Sequence, residues 1–340
     1  MSTTGMLEVR GSISFEQFWP MGTSDADTTK IVVEVPRDGF RYRTPGASRF
    51  RVTDDFHRVV VIGRAGRREP VRDGKVTIRL QGIDAPELHY RPPSALARAA
   101  RTAQQHAAYL ACNHEYRQPL AETGTVSLSA LLAGTRRTTV PCVVRTLVGE
   151  PGDVFDTYGR LVGDVWIDMS GREVDLNHWL VEHGWAVPAF YSSMTAEEID
   201  TLRQLAATAA RGRRGVWRHL DGSGARFDWR RRYRGRGATF SPAADTGNIL
   251  LPKLFRRQCT WAVNRRSRMV RGTFAEYLAE RPEGCYLTDE FLEQGVEASS
   301  HHRLSDFVTS RGEFELRPPE LVFQEAAATL RRLDGGAPRW

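Results

Sequence analysis

The stretch that decides the fold is Val76-Thr77-Ile78-Arg79-Leu80-Gln81-Gly82-Ile83-Asp84-Ala85-Pro86-Glu87. Its first six residues alternate between apolar and polar, which predicts a strand with its apolar side chains toward a core. Pro86 lacks a backbone donor and ends the strand. Strict alternation would put Arg79 and Asp84 on opposite faces, so we predict a break near Gly82, where bulges are common. Taken alone, the stretch also fits a surface salt-bridge network at a strand end.

The rest of the first 220 residues predicts short strands followed by helices. Apolar patterns predict strands at residues 7–15, 29–35, 59–62, 140–148 and 161–167. Helices are predicted over residues 94–111, 174–183 and 196–211, the last with Thr195 and Glu198 as a capping box. This order predicts a small β-barrel with helices packed on it, an α+β fold.

Composition changes twice along the chain, and we place domain boundaries there. Residues 1–220 form the predicted first domain. Residues 221–245 are rich in Arg and Gly and predict a mobile basic linker. Residues 246–340 regain apolar periodicity and predict a C-terminal α/β extension, to which no function is assigned. We expect either that the linker arginines bind phosphates nonspecifically or that the linker is only a solvated connection between the domains.

Bulk composition limits the class of protein. The chain is 41% hydrophobic and 26% charged, with no apolar run long enough to span a bilayer and no signal peptide at its start. We therefore expect a cytoplasmic protein without a membrane partner. The four cysteines are scattered and lack zinc-ligand spacing, which favours reduced structural thiols.

Net charge is +7, which suits a polyanionic partner such as nucleic acid. However, only three of the 48 basic residues are lysines. Such a skew toward arginine is also typical of a GC-rich genome, so the total charge leaves both interpretations open.

Two more polar blocks accompany Arg79 to Glu87 in a fixed order. Upstream lies Ser24-Asp25-Ala26-Asp27-Thr28-Thr29-Lys30, and downstream lies Asp156-Thr157-Tyr158-Gly159-Arg160. Together with a helix at residues 177–184 and the ending Gly215-Val216-Trp217, they resemble the staphylococcal nuclease (thermonuclease) family over residues 7–220. The resemblance implies a five-stranded OB-fold-like barrel with about three packed helices. Relative to that family, residues 40–72 and 127–139 are insertions.

The resemblance also implies a metal site. Asp27 and Asp84 would supply carboxylate oxygens to one Ca²⁺, and the backbone carbonyl of Ala85 would be a further ligand. Oxygen-only ligation is what a hard cation prefers. The insertion at residues 40–72 carries Asp54-Asp55, a competing source of the first carboxylate. We prefer Asp27 because it keeps the Asp-x-Asp-Thr order of the family.

The remaining roles implied by the resemblance are catalytic and substrate-binding. Glu87 would orient or deprotonate the attacking water. Arg79 and Arg160 would neutralise charge on the phosphoryl oxygens in the transition state. Tyr158 and Tyr191 would contact the nucleotide, and packing at the barrel edge is the alternative for both.

The sequence thus predicts a Ca²⁺-dependent nuclease that acts on DNA, RNA or both. The alternative is a catalytically weak nuclease-like barrel that serves as a nucleic-acid- or protein-binding module. No protein partner is identifiable from the sequence. His89 and the pair His301-His302 are possible metal ligands by residue type, and we expect His89 to be a solvent-exposed loop residue instead.

Overall fold

The computed structural model describes residues 5–34, 39–53, 55–63, 66–148, 151–220, 227–281, 283–297, 302–325, 328–336 and 338. Two residues discussed above, Asp54 and His301, lie outside these ranges, as do residues 221–226 of the predicted linker. The side chain of Asp55 is also not described, so the choice between Asp27 and Asp55 stays a prediction.

Eighteen strands occur within the described residues. They are β1 (Gly5–Ser14), β2 (Thr28–Val33), β3 (Phe40–Arg43), β4 (Arg51–Val52), β5 (Val59–Gly63), β6 (Gly66–Arg68), β7 (Val71–Arg72), β8 (Lys75–Leu80), β9 (Ile83–Asp84), β10 (Thr139–Val148), β11 (Leu161–Asp168), β12 (Glu173–Asp175), β13 (Val187–Pro188), β14 (Phe190–Tyr191), β15 (Gly284–Leu287), β16 (His302–Arg303), β17 (Leu321–Phe323) and β18 (Thr329–Arg332).

Seven α-helices occur in the same described part of the chain. They are α1 (Ala103–Cys112), α2 (Ala121–Ala133), α3 (Leu176–Glu182), α4 (Ala196–Arg211), α5 (Pro252–Arg266), α6 (Phe274–Ala279) and α7 (Thr288–Gln294). None of the helices that the structure describes is long and apolar enough to cross a membrane.

The chain divides into two compact units, each built from separate chain segments. Unit 1 comprises Met1–Gln81, Thr125–Leu180 and Glu325–Trp340, and unit 2 comprises Gly82–Gly124 and Val181–Gln324. These units differ from the predicted division at residues 220 and 245. In unit 2, for example, β14 pairs in parallel with β17. Long-range strand pairing of this kind is not visible in local composition.

Unit 1 contains a closed barrel of five strands. Its order is β1-β2-β8-β11-β10, and β10 pairs with β1 along ten residues to close the ring. The β8–β11 pair is parallel and the other four are antiparallel. Alternate residues point into the barrel, as in β10, where every second residue from Val140 to Val148 is buried. The predicted α+β fold with an OB-fold-like five-stranded barrel is therefore confirmed.

The first insertion forms a second, smaller sheet in unit 1. β5 pairs antiparallel with β6 and, on its other edge, with β18. The register joins Val59 to Arg332 and Ile62 to Thr329. Val59, Val60 and Val61 are buried. A strand near the C-terminal end thus secures a segment near residue 60.

The predicted helix over residues 94–111 was wrong in its first part, because α1 begins only at Ala103. Upstream, the backbone N–H of Ala95 donates to Asn264 Oδ1 at 2.7 Å. This tertiary contact overrides the helical propensity of the Ala-rich sequence. Thr102 and Gln105 then form a capping box that starts α1. The box predicted at Thr195 and Glu198 is confirmed for α4.

The predicted basic linker is packed where the structure describes it. The Arg234 guanidinium pairs with Glu122, whose side chain is fully buried. Arg117 Nη1 lies 2.7 Å from the buried Asp245 carboxylate. Ion pairs in unit 2 therefore fix this segment at Arg234 and Asp245, which a mobile connection would not show.

Candidate active site

In unit 1, β2 and β8 place Asp27 and Arg79 side by side. The strand register pairs Thr28 with Arg79, and the N–H of Leu80 donates to Asp27 O at 2.9 Å. Arg79 Nη1 lies 2.7 Å from Asp27 Oδ2, and both side chains are largely buried. The predicted metal carboxylate of this unit is thus paired with the predicted transition-state arginine.

Arg160 lies close to the same pair through one hydroxyl. Its Nη1 donates to Thr28 Oγ1 at 3.3 Å, and Thr28 Oγ1 donates to Asp27 Oδ1 at 3.1 Å. A second contact fixes the guanidinium, because Arg160 Nε lies 2.7 Å from Asp156 Oδ2. Unit 1 therefore brings together Asp27, Arg79 and Arg160, and it adds Asp156 as a positioning residue.

Asp156 also builds the turn that carries Arg160. Its Oδ1 accepts from the N–H groups of Tyr158 and Arg160, both at 2.9 Å. Gly159 has a φ of 82°, a conformation that glycine adopts without strain. The Tyr158 ring is 53% exposed and lies 5.5 Å from the Arg160 guanidinium carbon. An exposed ring beside a guanidinium is free to stack on a planar group such as a base.

The chain leaves β8 at Leu80, and Gly82 has a φ of 71°. The break predicted near Gly82 is present. Gly82 O accepts from the N–H of Ala189 at 2.8 Å, and Asp84 in β9 pairs with Val187 in β13. The residues after the break are thereby fixed within unit 2.

Replacing Gly82 by alanine is expected to destabilise the protein by roughly 2–4 kcal/mol. The left-handed conformation alone costs about 1–2 kcal/mol for a residue with a Cβ. A Cβ at Gly82 would also lie 2.6 Å from Leu202 Cδ1 and 2.7 Å from Met194 Cε. Gly74→Ala is the matched control, because Gly74 has a φ of 68° and nothing within 4 Å of its Cβ position. Urea unfolding of both variants measures the difference, and equal losses would contradict the steric argument.

In unit 2, Asp84, Ala85 and Glu87 follow the break within one short turn. Asp84 and Ala85 are buried, with 3% and 2% of their surface exposed. Gln118 fixes the backbone of Glu87 from both sides: its N–H donates to Glu87 O at 2.8 Å, and its Oε1 accepts from the N–H of Glu87 at 3.0 Å. The Glu87 carboxylate is therefore aimed by a rigid turn.

A residue from the C-terminal region completes this group. Arg256 in α5 forms a two-pronged contact with Asp84, with Nη1–Oδ1 and Nη2–Oδ2 both at 3.1 Å. The same Nη1 also donates to Glu87 Oε1. Burial alone would lower the pKa of Arg256, but the two carboxylates raise it well above its usual value. Asp84 and Glu87 thus converge on one permanent cation.

Helix α5 is anchored by a second set of ion pairs. Lys253 Nζ and Arg257 Nη2 lie 2.9 Å and 2.8 Å from the two carboxylate oxygens of Glu283. Burial acts to raise the pKa of Glu283, but these two cations outweigh it and lower the pKa to about 2. The basic cluster of residues 253–257 is therefore used for internal ion pairs on both sides of the helix.

Acid is expected to remove the contribution of Glu283 to stability. Because its folded pKa is lowered, the contribution is full above the ordinary value of 4.5 and is lost as pH falls toward about 2. Glu283→Gln should cost about 2–3 kcal/mol near pH 7, and the cost should shrink as pH falls to about 3. Urea unfolding of both proteins across this range measures the gap. A gap that is independent of pH would contradict the ion-pair explanation.

Tyr191 and the histidines have structural partners. Tyr191 packs in β14 with its ring 6.2 Å from Phe323 and 5.2 Å from Lys253 Nζ, which supports the packing alternative. His89 packs edge-on against Tyr233, and His302 lies 3.8 Å from Glu290. Among the described residues, no group of three or more His, Cys, Asp or Glu side chains is arranged to hold a metal ion.

Comparison with known proteins assigns the central part of the chain. Residues 77–219 match a family model described as "Staphylococcal nuclease homologue". This segment is a staphylococcal nuclease homologue domain. The match covers less than half of the 340 residues. A comparison of the chain with curated proteins found no match.

The limits of the nuclease homologue match differ from those of the barrel. The matched residues include every predicted site residue except Asp27. However, β1 and β2 lie upstream of residue 77 and close the same barrel. The resemblance found in the sequence begins at residue 7 and therefore includes all five barrel strands, whereas the matched range of residues 77–219 omits β1 and β2.

Three residues of the site were missed by sequence reasoning. Asp156 could have been predicted from the sequence Asp156-Thr157-Tyr158-Gly159-Arg160, since an aspartate at the start of a turn commonly accepts from backbone N–H groups. No local sequence pattern indicates Gln118 or Arg256. Gln118 lies 31 residues from Glu87 along the chain, and Arg256 lies 172 residues from Asp84. Arg256 lay in a basic cluster whose partners no local pattern reveals.

Proposed function

We propose that this chain is a nuclease that hydrolyses phosphodiester bonds of DNA, RNA or both, with Ca²⁺ as its cofactor. The observation that carries the proposal is the convergence of Asp84 and Glu87 on one cation within a nuclease homologue domain. Two carboxylates on a fixed turn define a position where positive charge is stabilised. Nucleic acid is the substrate class that this family suggests, and the cytoplasmic location stays a prediction from the sequence.

The donor atoms fit Ca²⁺ in type, because Asp27, Asp84 and the carbonyl of Ala85 offer oxygen only. Arg256 acts as a stand-in cation on Asp84, which supports a cation position there. Both Asp84 oxygens accept from Arg256 in this arrangement. We therefore propose that Ca²⁺ and the Arg256 guanidinium compete for Asp84, and that displacement of Arg256 also releases Glu87. Bound Ca²⁺ would supply Lewis-acid polarisation and neutralise phosphate charge.

Residues of the chain itself would accept the proton of the attacking water and stabilise the charge that develops on the phosphate. A Glu87 oxygen would accept the proton of the water that attacks phosphorus, the bond from phosphorus to the 5′-oxygen would break, and the departing 5′-oxygen would take up a proton from solvent. The products would be a 3′-phosphate end and a 5′-hydroxyl, as the family resemblance implies. Arg79 and Arg160 would stabilise the charge that develops on the phosphoryl oxygens. Tyr158 would contact the nucleotide, whereas Tyr191 packs against Phe323 and would stabilise β14 instead.

A nucleic-acid- or protein-binding module is the second candidate. The observation that favours it is the pairing of Arg256 with Glu87, because a carboxylate oxygen that accepts from a guanidinium is occupied and cannot at the same time orient a water. Cleavage of single-stranded DNA and RNA by the full chain, in Ca²⁺ and in EGTA, distinguishes the two. Cleavage that requires Ca²⁺ supports the nuclease. Binding without cleavage at any Ca²⁺ concentration supports the module.

A further inference from the structure

Unit 2 contains a cavity of about 650 Å³, and none of the proposed catalytic, metal-binding or substrate-binding residues lines it. Four aromatic side chains line it: Phe227, Trp229, Trp261 and Phe274. The ring of Trp261 lies 5.7 Å from that of Phe274, and Phe227 meets Trp229 edge-on at 4.8 Å. A cavity of this size and aromatic content is typical of a site for a planar small molecule.

One side of the cavity is cationic. Arg265, Arg266 and Arg311 line it and are exposed. The guanidinium carbon of Arg265 lies 5.1 Å from the Trp261 ring, and that of Arg266 lies 4.7 Å from the Trp229 ring. Among the residues that the structure describes, no Asp or Glu lines the cavity.

These arginines differ from their neighbours on the same helix. Arg256 and Arg257 are neutralised by carboxylates in unit 2. Arg265 and Arg266 are the last two residues of α5, and neither forms an ion pair with a carboxylate that the structure describes. Spacing explains the arrangement, since residues four apart lie on one helix face and Arg265 therefore covers Trp261. The residues that line the cavity thus carry a net positive charge, although the Glu276 carboxylate lies close enough to Arg265 to interact with it electrostatically.

We propose that this cavity binds a nucleotide of a single-stranded nucleic acid, with the base among the aromatic rings and a phosphate at Arg265 and Arg266. Aromatic stacking accepts any base, and guanidinium groups recognise phosphate through paired hydrogen bonds. Duplex nucleic acid is excluded, because its bases are stacked inside the helix and cannot enter a pocket. The site lies outside the proposed catalytic residues and would bind substrate whether or not the chain cleaves it.

Fluorescence anisotropy with a labelled oligothymidylate, in EGTA to prevent cleavage, tests this binding site. Arg265→Gln/Arg266→Gln is expected to weaken binding on the order of tenfold and to reduce the slope of log Kd against log salt by about 1.4. The matched control is Arg211→Gln/Arg317→Gln, which removes two exposed arginines of the same unit outside the cavity. It should change Kd by less than about twofold.

A second variant separates stacking from charge. Trp229→Ala is expected to weaken binding by roughly 5- to 150-fold with little change in the salt slope. Because Trp229 is half-buried, its thermal unfolding is measured as well, and the exposed arginine variants keep the test decisive if this one fails to fold. Equal effects of the cavity and control arginine pairs would overturn the proposal. So would equal affinity for a duplex of the same sequence, or binding of neither form.

Discussion

Replacing Glu87 by glutamine is expected to lower the Ca²⁺-dependent cleavage of single-stranded DNA by about 10²–10⁴-fold. Glutamine keeps the shape of the side chain but cannot accept the proton of the attacking water, and positioned proton transfer contributes a factor of this order. The Gln118 contacts to the backbone of residue 87 do not involve the carboxylate, so the turn should persist. Turnover at saturating substrate and Ca²⁺ measures the effect.

The control for this variant is Glu293→Gln. Glu293 is exposed in α7 and carries the same change of charge without touching the turn. Its turnover should match that of the unmodified protein. Unchanged turnover in Glu87→Gln would remove this residue from its proposed role. A large fall in both variants would show that the assay reports charge or folding rather than proton transfer.

Replacing Arg256 by glutamine should have the largest effect on stability, and Ca²⁺ should reverse it. The side chains of Asp84 and Glu87 are 4% and 14% exposed, so loss of Arg256 removes a cation from two largely buried carboxylates. Removing one partner of a buried pair typically costs about 3–5 kcal/mol. Ca²⁺ would then bind Asp84 without competition from Arg256 and stabilise the folded state by mass action. Thermal unfolding in EGTA and in Ca²⁺, with calorimetric titration of Ca²⁺, measures both effects.

Arg257→Gln provides a matched control on the neighbouring residue of α5. Arg257 pairs with Glu283 and not with Asp84 or Glu87, so its loss should destabilise the protein equally with and without Ca²⁺. Tighter Ca²⁺ binding in the Arg256 variant alone would support competition between guanidinium and Ca²⁺. Unchanged or weaker Ca²⁺ binding would contradict it and would favour the binding module.

The sequence predicted the barrel well because its evidence is local. A strand with one face buried alternates with a period of two, and that pattern located four of the five barrel strands to within two residues and the end of β8 to within three. The break at Gly82 was predictable for the same reason, since alternation put Arg79 and Asp84 on opposite faces. The capping box at Thr195 and Glu198 is likewise a local signal.

The parts that could not be predicted depend on residues far apart in the chain. Arg256 reaches Asp84 across 172 residues, and Asn264 stops a helix near Ala95 from across 169 residues. In neither pair does the sequence around one residue indicate which distant residue it contacts. The ion pairs that fix residues 227–245 have the same origin, because an arginine-rich segment looks solvated until its carboxylate partners are known.

The pairing of β5 with β18 has a consequence for synthesis. The two strands are separated by roughly 270 residues, so a ribosome adding about 5–20 residues per second makes the second one about 14–54 seconds after the first. During that delay β5, which includes three buried valines, has one edge without its final partner. Exposed apolar strand edges are templates for aggregation. The nascent chain is therefore expected to depend on chaperones until β18 has emerged.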